Sequence, residues 1–271
     1  MGEKTSCDGG EGKVSPSYAN ERVTEESARK IGHELYHKTG YDAIWRLSNS
    51  GFVIRLDTTY IFLDPVLTSP LPIYETTRER ARETGTGTYR LELKYYDEPE
   101  NLFREVHELP LPSEHVEKAD YVLISHEHDD HLEIHGLKQI APLEPTVVAP
   151  KSCHGQLLQA GYPNTRVIEA RYGETRDCGN FSWEVVPADH HGCTDACGYL
   201  LRTRHGNIYF HGDGKFDHEH KETVVNLDVD YLLLPINDTN LGVGFAALLT
   251  HLLQPRVVIP CHYGYIYPAV R

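Results

Sequence analysis

A dense group of metal-binding side chains follows one short apolar stretch of this sequence. Residues 121–124 are Tyr, Val, Leu and Ile, and shortly after them come His126, His128, Asp130 and His131. Imidazole and carboxylate groups together are ligands that zinc, iron and manganese use in proteins. The spacing lets His126 and His128 point to the same side of an extended loop, while Asp130 and His131 face a neighbouring point. We therefore predict two metal ions bound side by side.

Other ligand-capable side chains also follow short apolar stretches that we predict to be strands. They are His190 or His191 after residues 181–186, Asp213 after residues 207–210, and His262 after residues 257–259. Strand ends that converge at one rim of a sheet bring their loops together, and such loops commonly carry function. We therefore expect these side chains to join the first group in a single site.

These motifs resemble those of the metallo-β-lactamase superfamily. The run His126–His131 matches its H-x-H-x-D-H signature, and the hairpin that leads into Asp64-Pro65 is similar to the opening of that fold. The likeness spans roughly residues 43–265. It is best to the branch around L-ascorbate-6-phosphate lactonase, in residues 149–153, 208–213 and 257–262. The resemblance implies an α/β fold, an αββα sandwich of two packed mixed β-sheets flanked by helices.

The resemblance also assigns a role to each ligand candidate. Three histidines resemble the ligands of a first metal: His126, His128 and His190, with His190 preferred to His191. Three residues resemble the ligands of a second metal: Asp130, His131 and His262. Asp213 resembles the bridging carboxylate, and Asp130 is the expected catalytic residue. Asp64 is expected either to support a ligand histidine or to cap its strand.

By this resemblance the chain is expected to be a metal-dependent hydrolase. Two divalent ions, zinc or manganese with iron also open, would activate a water as hydroxide. The hydroxide would attack an ester, lactone or phosphodiester bond of a small substrate, and the two cations favour an anionic one. Three side chains are weaker candidates for substrate contact: Asn237, Tyr263 and Lys215. The alternative is a non-catalytic member in which the same fold serves binding or sensing.

A second metal-binding motif lies near the N-terminus. Residues 33–37 read H-E-x-x-H, the zinc-protease signature, in which His33 and His37 would hold zinc and Glu34 would act as base. The motif falls in a predicted helix over residues 21–38 that is polar and shows no apolar face. Because the chain contains 17 histidines, we favour a solvated helix with unrelated histidines.

Composition limits the remaining classes of protein. The net charge is −14 and the isoelectric point is about 5.6, which disfavours general binding of nucleic acid. No apolar run approaches the length that a membrane helix needs. The six cysteines show no disulfide-framework spacing, so we expect a cytoplasmic protein with reduced thiols. Cys193 and Cys197 could form a separate thiolate site or be unrelated loop thiols.

The domain organisation is predicted to be simple. Residues 1–20 are rich in Gly, Ser and charge and are expected to be disordered, followed by one domain over residues 21–271. An insertion at about residues 67–118 would form a lid or an oligomer contact, or else a surface excursion without a role in the chemistry. Because the relatives continue beyond the equivalent of His262, we expect a truncated or trimmed C-terminal end.

Overall fold

Two six-stranded sheets form the centre of the protein in a computed structural model, which describes residues 25–38, 40–47, 49–68, 110–215, 220–236 and 241–262. The first sheet contains, in order, β1 (Ala43–Arg46), β2 (Phe52–Leu56), β3 (Thr59–Leu63), β4 (Tyr121–Leu123), β5 (Thr146–Ala149) and β6 (Val167–Glu169). The second contains β7 (Thr175–Asp177), β8 (Phe181–Pro187), β9 (Cys197–Thr203), β10 (Gly206–Phe210), β11 (Tyr231–Pro235) and β12 (Val257–Cys261).

Both sheets are mixed. The strands β1 to β3 pair antiparallel, and β3 to β6 pair parallel. In the second sheet β7 to β10 pair antiparallel, and β10 to β12 pair parallel. The parallel strands therefore end at a common edge, and their outgoing loops meet there.

Helices cover the outer face of each sheet. They are α1 (Glu25–His37), α2 (Ile134–Ile140), α3 (His154–Gln159), α4 (Lys221–Val225) and α5 (Val243–Leu253). The first three pack against the first sheet through Leu35, Leu137 and Leu157, and the other two pack against the second through Val224 and Leu249. The predicted αββα sandwich is confirmed. None of the helices in the described part of the chain is long and apolar enough to cross a membrane.

The strands that carry the site are apolar on both faces because both faces are covered. In β2, Phe52 and Ile54 face the second sheet, whereas Val53 faces the helices. In β4, Leu123 faces the second sheet and Val122 faces the helices. Alternate side chains of a strand point to opposite faces, so a continuous apolar run is the pattern that such a layered arrangement requires.

Helix α1 departs from the prediction that it would lack an apolar face. Leu35 is fully buried and Ala28 is 3% exposed, so one face of the helix belongs to the core. Buried Arg55 of β2 also donates hydrogen bonds to carbonyl groups in the last turn of this helix and just after it, those of Glu34, Leu35, Lys38 and Tyr41. The prediction failed because few apolar residues form this face, and the guanidinium group satisfies carbonyls that a helix end leaves open.

The two ends of the predicted insertion belong to the core. Leu67 and Leu111 are both buried, and the N–H of Ser113 donates to the carbonyl oxygen of Leu67 at 2.9 Å. The rest of this segment, residues 69–109, lies outside the described residues. The predicted disorder of residues 1–20 and the expected trimming of the chain after His262 concern residues that are likewise not described.

Candidate metal centre

The seven predicted ligands come together where four strands end. They are His126, His128, Asp130 and His131 after β4, His190 after β8, Asp213 after β10 and His262 after β12. The loop after β3 brings Asp64 to the same place, where it contacts His131. Five of the predicted ligands are buried, and His128 is exposed. The group therefore lies at the edge of the sandwich, open to solvent on the side of His128.

Three histidines form the first group. The ligand atoms of His126, His128 and His190 all lie within 4.8 Å of one another, and Nε2 of His190 is 2.9 Å from Nδ1 of His128. The other ring nitrogen of His190 lies 2.8 Å from the carbonyl oxygen of Asp213, to which it can donate. Nε2 of His126 is buried and has no hydrogen-bond partner among the described residues. A cation bound among the three rings would give Nε2 of His126 the partner that it lacks.

A carboxylate and two histidines form the second group. The ligand atoms of Asp130, His131 and His262 also lie within 4.8 Å of one another. Oδ2 of Asp130 is 3.3 Å from Nε2 of His262 and 3.7 Å from Nε2 of His131. The mixed oxygen and nitrogen donors suit zinc, manganese and iron alike.

Asp213 lies between the two groups. Its Oδ2 is 3.5 Å from Nε2 of His262 and 3.9 Å from Nε2 of His131, both in the second group. The same oxygen is 3.9 Å from Nε2 of His190 in the first group. One carboxylate thus approaches histidines of both groups.

The two groups differ in charge. Burial, together with His131 and His190, holds the pKa of His126 well below its ordinary value, so this ring is neutral. Burial alone would raise the pKa of Asp130, but His131 and His262 hold it well below its usual range. Burial would likewise lower the pKa of His131, but the carboxylates of Asp130 and Asp64 raise it to about 9. Without metal, the second group is therefore a buried ion-pair cluster.

Asp64 and Ser125 support the histidines from behind. Oδ2 of Asp64 is 2.7 Å from Nδ1 of His131, and its Oδ1 accepts from the N–H of Ser125 at 2.7 Å. The hydroxyl of Ser125 donates to Asp64 and lies 2.9 Å from Nδ1 of His126. Because Nδ1 of both rings is engaged, Nε2 is the nitrogen that faces the centre. Asp64 also forms a third close set with His126 and His131, which overlaps both groups.

The turn that carries Asp213 is held by a buried histidine that the sequence analysis did not identify. One ring nitrogen of His211 is 2.9 Å from the hydroxyl of Tyr209, and the other is 2.9 Å from the carbonyl oxygen of Gly214. Gly212 has a φ of +68°, and a Cβ there would lie 2.9 Å from the carbonyl oxygen of Cys197. Only glycine fits this close, left-handed position.

The remaining candidates lie apart from the two groups or outside the described residues. His191 is exposed, whereas His190 is 4% exposed. Lys215 is half-buried, and its N–H donates to the carbonyl oxygen of Asp189 at 2.7 Å, which fixes it near Asp213. Asn237 and Tyr263 lie outside the described residues.

The H-E-x-x-H motif of α1 does not form a metal site in the described structure. His33 and His37 are both exposed, and Nε2 of His37 is 2.9 Å from a carboxylate oxygen of Glu117. The close metal-binding sets found among the described residues do not include them. Cys193 and Cys197 are also separate, because Cys197 is buried in the core whereas Sγ of Cys193 lies 3.6 Å from Nε2 of His128.

Sequence comparison finds proteins that are similar to this chain. The family model described as the Beta-lactamase superfamily domain matches residues 43–262. A UPF0173 protein of Pyrococcus abyssi is 31% identical over 158 residues, covering 55% of this chain and 69% of that protein. A UPF0173 metal-dependent hydrolase of Pyrococcus horikoshii is 30% identical over 159 residues, covering 56% of this chain and 69% of that protein.

Solved structures share the fold at low sequence identity. Igni18, a metallo hydrolase of the archaeon Ignicoccus hospitalis, is 22% identical with a TM-score of 0.58, covering 85% of this chain and 86% of that one. An isothiocyanate hydrolase from Delia radicum gut bacteria is 17% identical with a TM-score of 0.59, covering 84% of this chain and 87% of that one. At these identities the likeness concerns the fold alone.

Proposed function

The chain belongs to the β-lactamase superfamily and, within it, to the UPF0173 metal-dependent hydrolases, and on this basis we propose that it hydrolyses a small anionic substrate with two divalent metal ions. The bond cleaved is an ester, a lactone or a phosphodiester. The observation that carries the proposal is the position of Asp213. Its Oδ2 lies 3.5 Å from Nε2 of His262 and 3.9 Å from Nε2 of His190. A carboxylate in that position can serve both metal ions.

The donor set fits such ions. His126, His128 and His190 would hold the first, and Asp130, His131 and His262 would hold the second. The buried Nε2 atoms of His126 and His131 lack hydrogen-bond partners within the described part of the chain, which is costly unless a ligand satisfies them. When bound, the metal ions would supply a water that ionises near neutral pH and would polarise an oxygen of the substrate.

Asp130 is the residue to which we assign the positioning of the attacking water. Its pKa is held well below its usual range by His131 and His262 despite burial, so the carboxylate is ionised at neutral pH and can accept a hydrogen bond from the water. Because the basicity of Asp130 is low, this carboxylate is better suited to orienting the water than to accepting a proton from it. The neutral ring of His126 keeps its Nε2 lone pair available as a ligand.

The preference for an anionic substrate follows from the local charge. Two divalent ions carry more positive charge than the three carboxylates of Asp64, Asp130 and Asp213 neutralise, so the metal ions and their carboxylates would be positive within a chain of net charge −14. The exposed side chain of His128 marks the side from which a substrate can enter. Lys215 is half-buried two residues after Asp213, and we propose that its side chain adds positive charge to this side of the centre.

A substrate panel tests the proposal. Protein reconstituted with zinc or with manganese is assayed against esters, lactones and phosphodiesters, each in an anionic and a neutral form. We expect metal-dependent hydrolysis of at least one anionic member, and we expect chelation to abolish it. If protein with both metals bound hydrolyses no member of the panel, the non-catalytic binding or sensing alternative is favoured instead.

A further inference from the structure

We propose that Asn49, in the turn between β1 and β2, is a positioning residue for the second metal, an inference that rests on the proposed function. Its side chain and main chain contact two of the three residues that would bind that metal. It reaches them from an element that supplies none of the predicted ligands. The residue therefore acts on the centre through Asp130 and His262.

The side chain of Asn49 holds Asp130 at two points. Nδ2 donates to the carbonyl oxygen of Asp130 at 2.9 Å and to its carboxylate Oδ2 at 3.2 Å. Asn49 itself is completely buried. The same Oδ2 faces Nε2 of His262 and Nε2 of His131. The amide thus fixes both the loop and the rotation of the carboxylate, so that this oxygen points into the centre.

The main chain of Asn49 contacts the loop that follows the last strand of the second sheet. Its carbonyl oxygen accepts a hydrogen bond from the N–H of His262 at 3.2 Å. Asp130 follows a strand of the first sheet and His262 follows the last strand of the second, and no ladder joins the two sheets among the described strands. Asn49 therefore sets the position of one ligand relative to the other across the sandwich.

The residue type fits this task. Asn49 has a φ of +54°, and asparagine adopts this left-handed conformation more readily than most residues. Its NH₂ group faces two acceptors, so an aspartate here would place an acceptor against them. A lysine or arginine would donate but would also place a positive charge beside the metal position. An uncharged amide orients the carboxylate without competing with the cation.

A role in the turn alone does not account for this side chain. The turn is closed by a main-chain hydrogen bond from the N–H of Leu47 to the carbonyl oxygen of Gly51 at 2.7 Å. Oδ1 of Asn49 is buried without a hydrogen-bond partner in the described structure, so the amide is not fully satisfied by the fold. The contacts with Asp130 are what its side chain provides.

Metal titration of Asn49→Gly tests the inference. Glycine keeps the left-handed backbone and the carbonyl that binds His262, so only the amide is removed. We expect the affinity for the second equivalent of zinc or manganese to fall by ~10–100-fold, as is typical for residues that orient metal ligands. The first equivalent should bind as in the wild type. Ser50→Ala is the matched control, because Ser50 is buried in the same turn and its hydroxyl has no partner in the described part of the chain.

Each outcome decides a separate question. If Asn49→Gly binds both metal equivalents with wild-type affinity, the inference is overturned. It is also overturned if the variant loses both metals and its melting temperature falls, because that result would indicate a purely structural role in the turn. If the wild type itself binds fewer than two metals, the proposed function fails instead.

Discussion

Nδ1 of His131 lies 2.7 Å from Oδ2 of Asp64, and both side chains are completely buried. The same carboxylate accepts hydrogen bonds from the N–H and the hydroxyl of Ser125. It therefore binds the loop that follows β4 at two residues, Ser125 and His131. This arrangement turns Nε2 of His131 toward Asp130 and Asp213, as a metal ligand in that position requires.

Replacing Asp64 by asparagine should weaken the second metal site. The amide would place a donor against the N–H and O–H groups that now donate to the carboxylate. We expect the affinity for the second metal to fall by ~10–100-fold and the free energy of unfolding of the metal-free protein to fall by about 1–3 kcal/mol. Metal titration and urea unfolding measure these effects. Asp57→Asn, at an exposed ion pair with Arg204, is the control, and wild-type metal binding by Asp64→Asn would contradict the support role.

Binding of the second metal should release protons, whereas binding of the first should not. The pKa of His131 is raised to about 9 by Asp130 and Asp64 despite burial, so this ring is protonated at neutral pH in the metal-free protein. His126 is neutral because burial lowers its pKa. Calorimetric metal titration at neutral pH in buffers of different ionisation enthalpy counts the protons. Equal proton release at both steps would contradict the assigned charges.

The raised pKa of His131 also predicts how the stability of the metal-free protein depends on pH. An unfolded histidine has a pKa near 6.5, below the value of about 9 in the fold. The stabilisation from His131 is therefore fully present below the unfolded pKa and is lost as the pH rises through the folded one. We expect His131→Gln to remove this loss of stability at alkaline pH, as measured by chemical unfolding between the two pKa values. A dependence of the free energy of unfolding on pH that is unchanged from the wild type would contradict this prediction.

Removing both histidines of α1 should leave the metal centre intact. His33 and His37 are exposed, and His37 pairs with Glu117, which is exposed as well. In His33→Ala combined with His37→Ala we expect unchanged metal content and activity, with a stability change within ~0.5 kcal/mol. Loss of metal from a variant that remains folded would revive the zinc-protease interpretation.

Tyr199 should be important for stability because it joins the two sheets beneath the centre. Its buried hydroxyl lies 2.7 Å from the carbonyl oxygen of Ile124 and 3.1 Å from that of Val148, so its one proton is shared between these two acceptors. We expect Tyr199→Phe to lower the free energy of unfolding by about 1–3 kcal/mol. Tyr172→Phe is the control, because Tyr172 is 45% exposed and donates to the carbonyl oxygen of Ala196. Equal losses in the two variants would contradict a special role for Tyr199.

The parts of the fold that follow local patterns could be predicted from the sequence. Apolar runs such as residues 121–124 marked buried strands, and the side chains after each run indicated where the site would form. The resemblance supplied the sandwich, which the structure confirms, and a preference for His190. Helix α1 was mistaken for a solvated helix because few apolar residues are buried among its described side chains, Ala28 and Leu35 being two of them.

The supporting contacts of the centre could not be predicted. Asn49 looked like an ordinary turn residue, since asparagine is common where φ is positive, and nothing local indicates that it meets Asp130, distant in sequence. Ser125 and His211 likewise resemble ordinary polar residues at strand ends. Their partners are set by how the two sheets pack, which is a property of the whole chain.

The metal content of three proteins tests the central claim most directly. After reconstitution with zinc or manganese and removal of excess ion, elemental analysis should give two metals per chain in the wild type. Asp130→Asn removes the negative charge of a carboxylate whose Oδ2 lies 3.3 Å from Nε2 of His262. This variant should retain close to one metal per chain. Asp129→Asn changes the adjacent, exposed carboxylate and should match the wild type. A wild type with one metal or none, or a greater loss in Asp129→Asn than in Asp130→Asn, would contradict the proposed two-metal centre.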